Sequence, residues 1–482
     1  MSQASHRQQP SGLRRALGLR DLVLLNVACI VGLSNLAQVA QFGWGSLVLY
    51  VLAALVFLVP SGIAVAELNA RMPEEGGFYR WVRTAFGEGH GYLAAWTYWL
   101  STIVYLPGVV VLVAVSVLYA FGERYLGMAE DPVYTTGVCI ALVWLVTALN
   151  LLGVHRAKWV QNLGAAATAG AVLLLVVVAA LQVSRTGSAH AVTPAAFLPD
   201  LTDLGILPFF AMLAFGFGGL ELAPVMAGEV VEPRRTLPRA LWIAAVLVAA
   251  IYMLGTAALI AAVPEGEVDV VSGVVQALHE LGVSLGLPQI GVLGALLVAL
   301  GTLGLFGAWL TGAARVPFVI GLDRYLPEAF GRVHPATGAP WVALLVQAVV
   351  LTGLLVASSA GATVREAYLV LLDMSIILYF IPFLYIFAAL VRHVARDTGG
   401  EGTFHALRTR PWLLWLVAGS GLGITALSAV LSAVPSGEVE NGPLFVSKVL
   451  GGALLLTGVG MLFYRPSSAA AGGRDSLPAG DR

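Results

Sequence analysis

The 482-residue chain is 59% hydrophobic and only 11% charged, with a formal net charge of −1. A soluble domain carries about 25% charged residues, so a surface this poor in ionic groups must face lipid over much of its area. The near-zero net charge excludes a basic field for nucleic acid, and the two cysteines, Cys29 and Cys139, have no spacing that would suit a disulfide framework or a metal site.

Residues 1–18 are rich in Ser and Gln, a composition that predicts a disordered tail. Arg7, Arg14, Arg15 and Arg20 precede the first apolar run, but Asn35, Gln38 and Gln41 interrupt what would be the cleavage region of a signal peptide. The run therefore reads as an uncleaved first helix. About 20 mainly apolar residues are needed to cross ~30 Å of hydrocarbon. Windows of that length place spans near 21–42, 46–69, 91–121, 133–152, 158–182 and 203–229. A further six fall near 238–262, 287–314, 340–359, 365–390, 412–433 and 444–463, followed by a second expected disordered tail, 465–482. No run alternates with period two, which argues against a membrane β-barrel.

Loop charge tests this map. With the first residues inside, every Lys and Arg except Arg124, Arg185, Arg365 and Lys448 falls on the same side, out of 26. This positive-inside pattern predicts that both termini are cytoplasmic and that the chain is a multi-pass protein of the inner (cytoplasmic) membrane. Residues 19–464 read as a single membrane domain.

Two spans look interrupted. The first contains Ile30-Val31-Gly32-Leu33-Ser34-Asn35, and the sixth contains Phe215-Gly216-Phe217-Gly218-Gly219-Leu220-Glu221 followed by Pro224. Gly and Pro are poor helix residues, and irregular backbone survives in lipid only where it lines a cavity. Small residues for close helix packing account for many of the 55 glycines, but not for Glu221. A carboxylate in mid-membrane costs about 2.5–3.5 kcal/mol on insertion scales, which calls for a compensating partner. Interruptions five spans apart point to an inverted repeat with a binding site at its interface. The expected fold is thus all-α and integral to the membrane, with about twelve spans and a five-plus-five inverted repeat broken at helices 1 and 6. Repeat one would cover about 21–182, repeat two about 203–390, and helices 11 and 12 about 412–463.

Three blocks carry a resemblance. Ala66-Glu67-Leu68-Asn69-Ala70-Arg71-Met72-Pro73-Glu74-Glu75-Gly76-Gly77-Phe78-Tyr79, Ala227-Gly228-Glu229-Val230-Val231-Glu232-Pro233-Arg234-Arg235-Thr236-Leu237-Pro238-Arg239, and Ala314-Arg315-Val316-Pro317-Phe318 with Asp323-Arg324-Tyr325-Leu326-Pro327 fall at three loops. These loops follow the second, sixth and eighth spans, and together the blocks resemble the amino acid–polyamine–organocation superfamily over most of residues 18–465. The resemblance implies a permease that moves amino acids or polyamines by exchange or proton coupling. It also implies that Glu221 contacts the substrate amine or guanidinium, as in the arginine/agmatine and putrescine/ornithine exchangers. Phe215 matches the gating aromatic of helix six and Phe306 the stacking aromatic of helix eight, positions where a ring face holds a dry cation by about 2 kcal/mol. The family often has Gly-x-Gly at the helix-one break, whereas Ile30-Val31-Gly32 keeps one glycine. The lysine that some proton-coupled members carry within helix five is replaced here by Gln161 to Thr168, with Lys158 nearer the helix start.

The expected substrate-binding set is Ile30, Val31, Gly32, Ser34, Phe215, Gly218, Gly219, Glu221 and Phe306. Asn26, Thr168, Thr302 and Asp373 are candidates for coupling or gating, with protons as a candidate co-substrate. Thr302 and Thr311 invite a sodium-site reading, against which intrahelical bonding to a carbonyl weighs. No zinc motif, nucleophile elbow or P-loop occurs, so neither an enzyme nor a bound cofactor or metal is expected. The rival to a transporter is a membrane sensor that keeps the site without transport.

Overall fold

With no water to hydrogen-bond peptide groups inside a bilayer, a chain of this composition must satisfy its backbone within helices. The computed structural model describes residues 13, 15–199, 206–264, 268–269, 271–358, 364–396, 404–434 and 442–464, and among these it is helical with no strand beyond one isolated bridge. The first span is split into α1 (Leu19–Ile30) and α2 (Leu33–Ala40). After them come α3 (Gly45–Arg71), the short α4 (Phe78–Phe86), α5 (Glu88–Phe121), α6 (Pro132–Leu151) and α7 (Val154–Thr186). The sixth span is α8 (Ile206–Gly216) and α9 (Leu222–Val225), and then α10 (Pro233–Ala262), α11 (Gly273–Ser284) and α12 (Gln289–Leu322) follow. The last four are α13 (Trp341–Ser358), α14 (Val364–Arg396), α15 (Pro411–Leu431) and α16 (Gly442–Phe463).

Each of the expected spans thus has a helical counterpart. Among the described residues, nine helices are long and apolar enough to cross a membrane singly, and α1 with α2, bent by 44°, makes a tenth. The bend falls at Val31 and Gly32, where extended backbone interrupts the helix.

α12 lies at the centre, packed along α7 and α5, while α14 packs along α5 and α15. Glycine permits the α7–α12 approach: a Cβ on Gly164 would run into the backbone of Gly304, and one on Gly304 into Gly164. Without a strong hydrophobic drive between helices in lipid, such backbone proximity is what holds them. Leucines such as Leu454, Leu455 and Leu462 of α16 remain exposed, which is the composition expected of a lipid-facing wall.

One expectation needs correction. The tail foreseen over 1–18 ends in ordered structure: the amides of Ala16 and Leu17 donate to Glu229 O (2.8 and 3.0 Å), and the amide of Val231 donates to Leu17 O (2.9 Å). Leu17 is buried and supplies the apolar anchor that holds this extended segment. Residues 1–12 and the tail 465–482 lie outside the described residues.

Candidate functional site

The two breaks face each other. At the first, Val31 N–H still bonds back to Val27 O, but Gly32 N–H and Ile30 O are left over by the helix. Tyr252, in the middle of α10, serves both. Its hydroxyl accepts from Gly32 N (3.1 Å) and Asn35 Nδ2 (3.3 Å), and it lies 2.6 Å from Ile30 O and 3.0 Å from Gly216 O, the acceptors for its proton. One phenol therefore ties break one to break six. Trp309 of α12 adds a second tie, its indole N–H donating to Cys29 O at 2.7 Å.

At the second break the chain leaves α8 at Gly216 and turns through Phe217–Glu221. Gly219 takes φ +127°, a conformation that side chains resist. A Cβ there would also press on Ile30 and Cys29, and one on Gly218 would collide with the Tyr379 hydroxyl. Glycine at both positions lets this turn sit against α1 and α14. The turn directs Glu221 inward, where it is fully buried. Its Oε1 accepts from Tyr98 (2.9 Å) and Tyr379 (2.7 Å), and its Oε2 accepts from Gly219 N (3.0 Å). Both oxygens are held by donors, the arrangement that lets a carboxyl group stay in a dry interior.

Aromatic rings surround that carboxyl group. Tyr98 lies 6.0 Å from Trp309 and 5.8 Å from Tyr379 between ring centres, and Trp309 lies 6.0 Å from Tyr379. Phe215 stands edge-on between Tyr379 (5.2 Å) and Tyr105 (5.4 Å). Tyr98, Trp309 and Tyr379 are closed off, whereas Ser34, Tyr105 and Phe215 keep partial exposure. An acid ringed by π-faces can hold a cation by charge and by ring quadrupole together.

The structure therefore gathers Ile30, Val31, Gly32, Phe215, Gly218, Gly219 and Glu221 around the breaks, with Ser34 on the first turn of α2. Phe306 is placed differently: it is fully buried and forms no ring contact among the described residues, while Trp309, three residues on along the same helix, joins the ring cluster. Asn26 donates to Leu22 O (2.8 Å) in its own helix and, among the described residues, leaves Oδ1 unpaired. Thr168 is buried against Gly301, and the Thr302 hydroxyl is buried without a partner among the described residues. Asp373 is half-buried on α14, with no hydrogen bond or ion pair among the described residues. Thr311 donates to Gly307 O or to Asn150 Oδ1, each 2.6 Å away. Sequence reasoning missed Tyr98, Tyr252, Trp309 and Tyr379. A phenol or indole in mid-span was the available signal, because its polar tip must find a partner in lipid.

The face carrying the chain's start is sealed by ions. Asp323 at the end of α12 accepts from Tyr79 (2.6 Å), Arg80 (2.9 Å) and Arg83 (2.7 Å). Deeper, Arg315 and Glu229 form a buried two-point pair at 3.0 and 2.9 Å. Lys158 binds Asp21 (2.9 Å) and Ala16 O (3.0 Å), fastening α7 to the start of α1.

Comparison with known proteins bears on the family and the fold. A family model described as amino acid permease matches residues 17–455. An uncharacterized transporter of Legionella pneumophila is 29% identical over 94% of this chain and 97% of its own length. A probable agmatine/putrescine antiporter of Lactococcus lactis, AguD, is 24% identical over 82% of this chain and 85% of its own. Among solved structures, MhsT in complex with L-phenylalanine aligns with a TM-score of 0.61 at 15% identity, covering 94% of this chain and 99% of that one.

Proposed function

The chain belongs to the amino acid permease family and is a secondary transporter, and we propose that its cargo is a small organic cation, an amino acid or polyamine bearing an ammonium or guanidinium group. The observation that carries this reading is the fully buried Glu221 inside the rings of Tyr98, Phe215, Trp309 and Tyr379. The cargo's positive group takes over contacts that the two phenols now make with the carboxylate, and Phe215 closes over it. The partial exposure of Ser34, Tyr105 and Phe215 supports entry from the face opposite the ion-sealed one. Exchange is the favoured mode, because Lys158 is engaged with Asp21 near the start of α1 rather than placed at the break. The protein resides in the cytoplasmic membrane with both ends cytoplasmic, and the repeats divide at about 21–182 and 203–390.

Counterflow tests this reading. Proteoliposomes loaded with unlabelled agmatine, putrescine or arginine should accumulate the labelled compound from outside. Glu221→Gln removes a charge-assisted contact worth about 1.5–3 kcal/mol, so uptake of the accepted cation should fall roughly 10- to 100-fold. Unchanged affinity and rate in the variant would refute the assignment.

A further inference from the structure

A half-buried acid with one buried carboxyl oxygen lies outside the substrate site. Glu75 belongs to the turn Glu74-Glu75-Gly76-Gly77 between α3 and α4. Gly76 and Gly77 both take positive φ, and a Cβ on Gly77 would press on the backbone of Pro224 and Val225. The turn therefore sits directly on the end of α9, where Gly76 N–H donates to Val225 O (3.2 Å). Glu75 Oε2 accepts from Gly228 N–H, while Oε1 is buried with no hydrogen-bond partner among the described residues.

Every neighbouring element contributes to its surroundings. The segment after α9 brings the carboxylate of Glu229, α12 brings Arg315, and α4 brings Arg80, which is itself bonded to Asp323. The extended segment before α1 brings apolar Leu13 against Gly228, and its Arg15 is exposed. That segment is fixed by Glu229 O, Val231 and Lys158. Two carboxylates thus lie near the Arg315 guanidinium, which already bonds Glu229 and Thr311 O, at the joint where the first and sixth spans meet on the sealed face.

We propose that Glu75 is a proton-binding site that latches this face. With the proton bound, the 74–77 turn, the residue 15–18 strap and the Glu229–Arg315 pair pack together. Without it, a second carboxylate lacks its own counter-charge in the same pocket, and the strap loosens. The unpartnered Oε1 is where the proton resides. Burial, and then the nearby Glu229, push the Glu75 carboxyl up to about 8, against the opposing pull of Gly228 N–H, Arg315 and Arg80. The closed form therefore binds the proton more tightly than a solvated, open form with an ordinary carboxyl value. Closed-state stabilisation is present at low pH and is lost as pH rises toward about 8. Over the interval between about 5 and about 8, opening increases up to tenfold per pH unit, and it levels off above.

The test needs no substrate, so its failure and failure of the cation reading are separable. Hydrogen–deuterium exchange of the full chain in nanodiscs, corrected for intrinsic chemistry, reads the amides of Ala16, Leu17 and Val231 across pH. Wild-type protection should fall by up to tenfold per unit until about pH 8. Glu75→Gln, held neutral, should flatten the profile, and an infrared band of protonated carboxyl that titrates near pH 8 should be absent from it. Matching pH profiles in the two proteins would overturn the proposal. Should the variant fail to fold, strap protection in the wild type that does not change with pH would overturn it equally.

Discussion

Replacing Tyr252 with Phe removes one oxygen and keeps the ring that stacks on Tyr50 at 5.4 Å. That oxygen serves the Gly32 amide and the carbonyls of Ile30 and Gly216, all on buried residues. A single hydroxyl proton satisfies one carbonyl at a time, so the substitution newly orphans the Gly32 amide, one side-chain N–H of Asn35 and one carbonyl. Each buried group left unpaired costs about 1–3 kcal/mol, and partial relaxation of the breaks brings the sum to about 2–4 kcal/mol. Equilibrium unfolding in mixed micelles reads the loss, and counterflow in liposomes reads the consequence for the joined breaks. A loss below about 0.5 kcal/mol, with turnover unchanged, would refute the view that this phenol holds the two breaks together.

Two further outcomes follow from contacts already described. Gly218→Ala forces Tyr379 away from Glu221, so cation uptake should drop at least about tenfold while folding survives; a variant with wild-type uptake would show that the Tyr379–Glu221 contact is dispensable. Arg315→Met leaves Glu229 buried without its partner, which should destabilise the protein by about 3–5 kcal/mol. An effect under 1 kcal/mol in the same micelle assay would mean that water reaches the pair.

Helix positions were readable because lipid imposes a one-dimensional rule: about 20 apolar residues per crossing. The expected spans and the observed helices agree closely, as at 91–121 against Glu88–Phe121 and 340–359 against Trp341–Ser358. The breaks were readable for a related reason, since Gly32, Gly218, Gly219 and Pro224 contradict a plain helix in a setting that tolerates little else. Glu221 stood out because an acid in mid-span must be compensated. Phe306 lies outside the ring cluster because a helix presents residues on all sides, and sequence spacing from a loop does not fix which aromatic joins it. Trp309, three residues further on, is the one whose ring and N–H both meet the site.

Composition and hydropathy alone determined that the chain is a bundle of membrane helices with weakened first and sixth spans, because the cost of an unpaired peptide group in hydrocarbon acts locally. Which side chains close the circle around Glu221, that Tyr252 answers both breaks, and that Glu75 meets Glu229 and Arg315 were decided only by tertiary structure. Those partners lie 36 to 240 residues apart, and no local period records a meeting that depends on how α5, α10, α12 and α14 rotate about their axes as they pack.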